Sequence, residues 1–138
     1  MRLWHKDLIP VLPRQQLLGQ WRECCLIAKN ISEKGTPDHV LVNKIMDYPI
    51  EHFYAYGMKV RGEMLKRGYK CDYHKFTKYF KGLSSEYEYD NIYYTWHNVR
   101  YLHQCFYNLQ EKYDCGAITR EDFIKINEKY KEIQAGLL

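Results

Sequence analysis

Hydrophobic positions recur at helical spacing along most of the chain. Between about residues 14 and 30 they lie three or four positions apart, which gives one apolar face of an α-helix. That face consists of Leu17, Trp21, Cys24, Cys25 and Ala28. Pro13 can occupy the first turn because the N–H that proline lacks is not needed there. Together with Pro10, it predicts an extended segment before the helix.

Two further helices are predicted after an irregular stretch over residues 31–45. Pro49 opens the second helix, and Gly68 stands where a helix C-cap belongs. Asp72 can cap a short third helix that ends near Gly82. Each boundary rests on a residue type that starts or stops helices rather than on periodicity alone.

The last part of the chain predicts two more helices. Asp90 or Asn91 can cap a long helix that reaches about Tyr113 and is ended by Gly116. A final helix over residues 119–134 opens with a sequence that resembles a capping box. Because no run alternates with period two, we expect an all-α single domain of about five helices spanning residues 1–138.

Composition and charge narrow the class of protein. The chain has 138 residues, 46% of them hydrophobic, which suffices for one core. It has neither an apolar run of about 20 residues nor a secretory signal, so we expect a cytoplasmic protein with no membrane contact. Residues 1–82 carry fifteen Lys and Arg against eight Asp and Glu, whereas the Tyr-rich residues 83–138 carry six against nine. The basic part suggests a nucleic-acid partner, with a solvated charged surface as the alternative.

The cysteines predict neither disulfides nor a metal site. They number five, two are adjacent, and no pair has C-x-x-C spacing. We therefore expect reduced and mostly buried thiols, no bound metal and no organic cofactor.

One polar helix face combines a carboxylate with a glycine. Gln16, Gly19, Gln20 and Glu23 share the side of the first helix opposite its apolar face. A glycine within a helix costs about 1 kcal/mol relative to alanine and calls for a structural reason. Tight packing against another helix is the interpretation that we favour for Gly19. The alternative is close approach of a ligand beside Glu23.

Two stretches of the basic part resemble the pyrimidine dimer DNA glycosylase family. Residues 12–23 read LPRQQLLGQWRE and are similar to that family's N-terminal helix, including the aromatic residue followed by Arg-Glu. Residues 63–69 read EMLKRGY and resemble the end of its second long helix. The pair His39-Val40 lies roughly where the family has His-Val. The likeness covers residues 1–82.

The resemblance implies a compact all-α fold whose N-terminal segment is lodged between helices. It also implies a DNA repair enzyme, an N-glycosylase coupled to an abasic-site lyase, acting on damaged double-stranded DNA without a cofactor or an obligatory protein partner. In this family the nucleophile is the N-terminal α-amine, which would belong to Met1. Such amines have pKa values of about 7.7–8.0, against about 10.4 for lysine, so a useful fraction is neutral near pH 7.

The resemblance also implies roles for individual residues. Glu23 would stabilise the cationic sugar and move protons. The side chains that would contact DNA are Arg2, Gln15, Gln16, Arg22 and Lys29. Gln16 and Leu26 depart from the best-known family member, which has a histidine and an arginine there, and Lys29 lies close to the second of these positions.

Aromatic residues after position 83 have no counterpart in the resemblance. They are Tyr87, Tyr89, Tyr93, Tyr94 and Trp96. They could stack on bases, but we favour packing against the long helix. Two other functions stay open: a nucleic-acid-binding module without catalysis on the same scaffold, and a related glycosylase for another lesion.

Overall fold

A computed structural model describes residues 1–81, 83 and 92–137 of the chain. These residues form five α-helices and two short 3-10 helices, with no β-strand among them, which confirms the all-α class. The α-helices are α1 (Arg14–Lys34), α2 (Ile50–Lys66), α3 (His74–Thr77), α4 (Val99–Asp114) and α5 (Arg120–Leu137). The 3-10 helices are Lys6–Val11 and Asn43–Asp47. None of the helices in the described ranges has the length and apolar character needed to cross a bilayer.

Four of the predicted helix boundaries are confirmed by the residues at the helix ends. α1 and α2 begin directly after Pro13 and Pro49. Gly68 follows α2 with a φ of 80°, the left-handed conformation that favours glycine. At the start of α5, the N–H of Asp122 donates to the Thr119 hydroxyl oxygen at 3.2 Å.

The predictions for the opening segment and the third helix were inaccurate. Residues Lys6–Val11 are not extended but form a 3-10 helix, and the His5 ring caps it by accepting from the Asp7 N–H. The helix tolerates Pro10, which has no backbone N–H, because so short a 3-10 helix contains few backbone hydrogen bonds. α3 ends at Thr77, and the predicted end at Gly82 lies outside the described residues.

The long helix begins later than the sequence predicts. The proposed caps, Asp90 and Asn91, lie outside the described residues. Residues 92–97 form turns, and Tyr93 has a φ of 52°, which a right-handed helix cannot contain. The cap is Asn98, whose side chain accepts from a backbone N–H in the first turn of α4.

Tight packing occurs at a glycine that the sequence analysis did not single out. α2 packs against α1, and α3 also contacts α1. A Cβ added to Gly57 of α2 would lie 2.2 Å from Cζ of Phe76, which is fully buried in α3. The phenylalanine ring therefore occupies the space that a side chain at position 57 would need.

The N-terminal segment is lodged between the helices, as expected, and side chains hold its backbone there. The N–H of Trp4 donates to Oε1 of Gln20 at 2.8 Å, and its carbonyl accepts from the Tyr56 hydroxyl at 2.6 Å. The carbonyl of Leu3 accepts from the hydroxyl of Tyr101. These partners come from α1, α2 and α4, so three helices fix the course of the first residues.

Two buried histidines complete this anchorage. The Lys6 N–H donates to Nδ1 of His97 at 2.9 Å. Because Nδ1 of His5 accepts from the Asp7 N–H, its Nε2 carries the proton and donates to the His97 carbonyl at 2.9 Å. Burial lowers the pKa of His5, and burial together with the nearby His5 and Lys6 lowers the pKa of His97 strongly. Both rings are therefore neutral in the folded protein near pH 7.

Alanine at Gly57 and at Gly62, both in α2, should have opposite effects on stability. Gly57→Ala forces Phe76 or α2 to move, which should lower the free energy of unfolding by about 1–3 kcal/mol. A Cβ at Gly62 meets no described atom within 4 Å, so Gly62→Ala should raise it by about 0.5–1 kcal/mol. Urea denaturation measures both. Equal effects would show that the packing at position 57 is not as described.

Folding stability should decrease as the pH falls below about 6.5. The pKa of His97 is lower in the folded state than the unfolded value of 6.5, so the unfolded chain binds the proton first. The stabilisation is therefore complete above pH 6.5 and is lost below it, by about 1.4 kcal/mol per pH unit for each such histidine. Urea denaturation between pH 7.5 and 5 measures this dependence.

A non-titrating substitution identifies the group responsible. His97→Asn keeps an acceptor for the Lys6 N–H and should flatten the pH dependence, although it lowers stability at pH 7.5. His74→Asn, at an exposed histidine, is the matched control and should leave the slope unchanged. A slope that His97→Asn does not change would contradict the assignment of a neutral buried imidazole.

Candidate active site

The first residue of the chain lines a cleft of about 250 Å³ between α1 and α4. α1 contributes Glu23, α4 contributes Asn108 and Lys112, and the loop before the second 3-10 helix contributes Leu41. The complete lining is Met1, Arg2, Trp4, Glu23, Leu41, Asn108 and Lys112. The cleft thus contains the predicted nucleophile, the predicted carboxylate and one predicted DNA contact, Arg2.

Gln20 links Glu23 to the N-terminal backbone. Its Nε2 donates to the Arg2 carbonyl at 2.9 Å and, more weakly, to Oε2 of Glu23 at 3.5 Å. Its Oε1 accepts from Trp4 and from Tyr56. Gln20 is only 1% exposed, and its three-residue separation from Glu23 places both on one side of α1. One buried amide therefore sets the position of the carboxylate relative to the first residues.

The carboxylate and the amine both retain hydrogen-bonding capacity. Apart from Gln20, the one described donor to the Glu23 carboxylate is the Arg2 N–H, through a long bond of 3.5 Å. Bonds of this length are weak. The Met1 amine forms no hydrogen bond or ion pair with any residue that the structure describes. Both groups are half-buried, so they are available to a ligand in the cleft.

Arg2 is held against aromatic residues at the cleft wall. Its guanidinium lies 5.5 Å from the centre of the Trp4 ring, a cation–π geometry. It also lies beside Tyr101 and Cys105. Burial raises the pKa of the Tyr101 hydroxyl and of the Cys105 thiol. Both groups therefore stay protonated near pH 7, and among the described residues no carboxylate forms an ion pair with the guanidinium.

Two further clefts adjoin the first, with which they share lining residues. The second, of about 460 Å³, is lined by Arg2, Leu41, Tyr101, Gln104 and Tyr107. The third, of about 380 Å³, is lined by Val40, Leu41, Lys44, Thr95, Trp96, Asn98, Arg100, Tyr101 and Gln104. Leu41 lines all three clefts, and Tyr101 and Gln104 are shared by the second and third. We call the three together the long groove.

Basic and polar side chains predominate in the long groove. Its charged side chains are Arg2, Lys44, Arg100 and Lys112 against one carboxylate, Glu23. One wall is a stripe of polar residues at four-residue spacing on α4, consisting of Arg100, Gln104, Asn108 and Lys112. The apolar side of α4, which includes Leu102 and Leu109, is fully buried. A groove of this charge suits a polyanion.

Sequence reasoning missed this α4 stripe. Arg100 and Lys112 belong to the part of the chain with net negative charge, so the regional average concealed them. The signal that could have found them was local: polar residues four apart opposite a buried apolar face. Lys44 was missed because residues 31–45 show no hydrophobic periodicity, although Lys44 lies in the second 3-10 helix.

The other predicted DNA contacts are dispersed along α1. Arg22 and Lys29 are exposed, Arg22 next to Glu23. Gln15 and Gln16 line a separate cleft against the start of α5, together with Thr119. Seven residues of helix, about 10 Å, separate Gln16 from Glu23. The structure therefore brings Arg2 and Glu23 to Met1, but it does not bring the two glutamines there.

Gly19 is not a helix-packing position. A Cβ added there would lie 3.8 Å from Nη2 of Arg22, and no other described side chain or neighbouring element comes within 4 Å. The favoured interpretation, close helix packing, was therefore wrong. The helix surface one turn before Glu23 is open instead.

The aromatic residues after position 83 divide between core and surface. Tyr93 is fully buried, and the Trp96 ring lies 4.8 Å from it in an edge-to-face contact. These two pack as favoured, although they precede α4 and do not lie on it. Tyr94 is 69% exposed. Tyr87 and Tyr89 lie outside the described residues.

None of the five cysteines is among the residues that line the long groove. Cys24 and Cys105 are buried, Cys25 and Cys71 are half-buried, and Cys115 is exposed, so the expectation of mostly buried thiols holds only in part. Burial raises the pKa of the Cys25 thiol to about 11. The described residues contain no group of three His, Cys, Asp or Glu side chains that could hold a metal ion.

Comparison with known proteins identifies the family. Residues 1–84, more than half of the chain, match the family model described as pyrimidine dimer DNA glycosylase. No curated protein and no solved structure matches the chain. The matched segment contains Met1 and Glu23, whereas α4 lies beyond it. A DNA-repair role of the glycosylase type and a DNA substrate follow from the match. The chain belongs to the pyrimidine dimer DNA glycosylase family.

Proposed function

We propose that this protein excises damaged bases, pyrimidine dimers in the first instance, from double-stranded DNA and then cuts the strand as an abasic-site lyase. The observation that carries the proposal is the meeting of the Met1 amine and the Glu23 carboxylate in one cleft of a basic groove. Neither group is engaged by a strong protein partner in the described part of the chain. An amine and a carboxylate in this arrangement suit imine chemistry at a sugar carbon.

The reaction begins with attack of the neutral Met1 amine on C1′ of the damaged nucleotide. The electrons of the glycosidic bond leave with the base, which takes up a proton. Loss of an amine proton and opening of the sugar ring give a protonated Schiff base. Removal of a proton from C2′ then expels the 3′ phosphate and cuts the strand. Glu23 stabilises the positive charge that develops on the sugar and carries these protons.

Positioning is the task of the residues around the amine. Gln20 holds the Arg2 carbonyl and the Glu23 carboxylate together, so the amine and its partner keep a fixed relation. Arg2, Lys44, Arg100 and Lys112 neutralise phosphates along the groove. Arg22 and Lys29 extend the basic surface along α1, and Gln15 and Gln16 serve a more distant part of the strand.

Glu23→Gln should abolish strand cutting while DNA binding persists. The amide keeps the shape of the side chain but neither accepts a proton nor stabilises a cation, so the cutting rate should fall by about 100-fold or more. Glu33→Gln, at an exposed carboxylate of the same helix, is the matched control and should cut normally. Gel assays on a duplex that contains an abasic site measure cutting. Full activity of Glu23→Gln would refute its role.

The nucleophile is tested by borohydride trapping on the same duplex. Borohydride reduces a Schiff base to a stable amine, so the protein should become cross-linked to DNA through Met1, as peptide mapping would show. One alanine inserted before Met1 should prevent trapping. Trapping that survives the insertion would exclude this amine. DNA binding with no trapping in the native protein would favour the non-catalytic binding module, and activity on other damaged bases alone would favour a different lesion.

The α4 wall should contribute to DNA affinity through charge. Each cation that contacts a phosphate releases a counterion, so Arg100→Gln and Lys112→Gln should each reduce the slope of log affinity against log salt by about 1. Lys131→Gln, at an exposed lysine of α5 outside the groove, should leave the slope unchanged. Titrations of labelled duplex at several salt concentrations measure it. Unchanged slopes for both α4 variants would mean that DNA does not follow this wall.

A further inference from the structure

A short loop displays two adjacent aliphatic side chains beside the cleft that contains Met1. Val40 is 82% exposed and Leu41 is 53% exposed. Single exposed apolar residues are common on protein surfaces. Here two neighbours face a groove whose other members are mostly polar or basic, and Leu41 lines every one of its three clefts.

Hydrogen bonds brace the loop on both sides of these residues. The Leu41 N–H donates to Nδ1 of His39 at 3.2 Å, and the His39 N–H donates to Oδ1 of Asn43 at 3.1 Å. The Val42 N–H donates to the His39 carbonyl at 3.0 Å, and its side chain is fully buried. Asn30 of α1 donates to the Pro37 carbonyl at 3.2 Å. The loop therefore holds its tip in one position.

The surroundings of the tip match the surface of a DNA duplex. Lys44 and Arg100 line one of the clefts that Leu41 lines, and Arg2 lines the other two. These cations suit the phosphates, whereas the aliphatic tip suits only the apolar faces of bases. A duplex whose backbone lay along these charges would bring its base stack against Leu41.

The proposed chemistry supplies a reason for such a tip. C1′ of the damaged nucleotide must reach an amine in a cleft of about 250 Å³, and a stacked duplex does not offer it there. The base pair at the lesion must therefore be opened, which costs a few kcal/mol in lost stacking, and apolar side chains that enter the gap offset part of this cost. From the braced loop we infer that Leu41, supported by Val40, enters the base stack at the lesion and holds it open.

This inference rests on the proposed function, and two substrates separate the two claims. One is a duplex that contains a thymine dimer, where bases must be unstacked before chemistry. The other is a single strand that contains an abasic site, where little stacking opposes access to C1′. Single-turnover excision on the first and borohydride trapping on the second are measured for the native protein and for Leu41→Ala. A 2-aminopurine next to the dimer reports unstacking by its fluorescence, whether or not excision occurs.

Leu41→Ala should slow excision from the dimer duplex by about tenfold and reduce the 2-aminopurine signal. The reason is that the wedge, the Leu41 side chain inserted in the base stack, is lost. The loss in trapping on the single strand should be several times smaller. Leu41→Met keeps the apolar reach and should restore most of the rate. Leu65→Ala, at a leucine that is 45% exposed and lies outside the long groove, should behave as the native protein.

The outcomes discriminate between the claims. Equal losses on both substrates, or no loss on either, would overturn the wedge while leaving the Met1 chemistry intact. A 2-aminopurine signal that Leu41→Ala does not lower would overturn it as well. A native protein that neither excises nor becomes trapped would refute the proposed function itself, and the wedge with it.

Discussion

A peptide segment buried outside regular secondary structure needs hydrogen-bond partners for its backbone groups, and side chains supply most of the partners of residues 2–4. Gln20 donates to the Arg2 carbonyl and accepts from the Trp4 N–H. The hydroxyls of Tyr101 and Tyr56 donate to the carbonyls of Leu3 and Trp4. Unpaired backbone groups at this depth would each cost about 1–3 kcal/mol. The position of the first residue, and with it the cleft and the groove, depends on these few side chains.

The helices were predictable to the extent that their signals were local. α1, α2 and α5 followed from periodicity together with proline, glycine and threonine at their ends. The start of α4 was not predictable because Tyr93 adopts a positive φ that no local pattern indicates. Gly57 shows the same limit, since the Phe76 ring that fills its space comes from another helix. Contacts between elements, rather than propensities, decided these features.

The candidate site likewise contains some residues that the sequence indicated and others that only contacts between distant elements bring in. Met1, Arg2 and Glu23 came from the resemblance, and the structure brings them to one cleft. Gln20 appeared in the sequence only as one polar residue of a helix face, because three of its four hydrogen bonds are made with residues 16 to 36 positions away. The α4 wall lay beyond the family match and inside a region of net negative charge. Neither the average charge of a region nor a family resemblance identifies the residues that a distant helix contributes to a site.

The anchorage of the N-terminus has a consequence for the order of folding. His5 and Leu3 are hydrogen-bonded to Cys105 and Tyr101, which lie 100 and 98 positions later in the chain. Contacts of such long range form late, after much of the chain has been ordered. The cleft therefore forms only after α4 has been synthesised and has packed against the N-terminal segment. A chain that still lacks α4 already carries most of its basic residues but has no cleft.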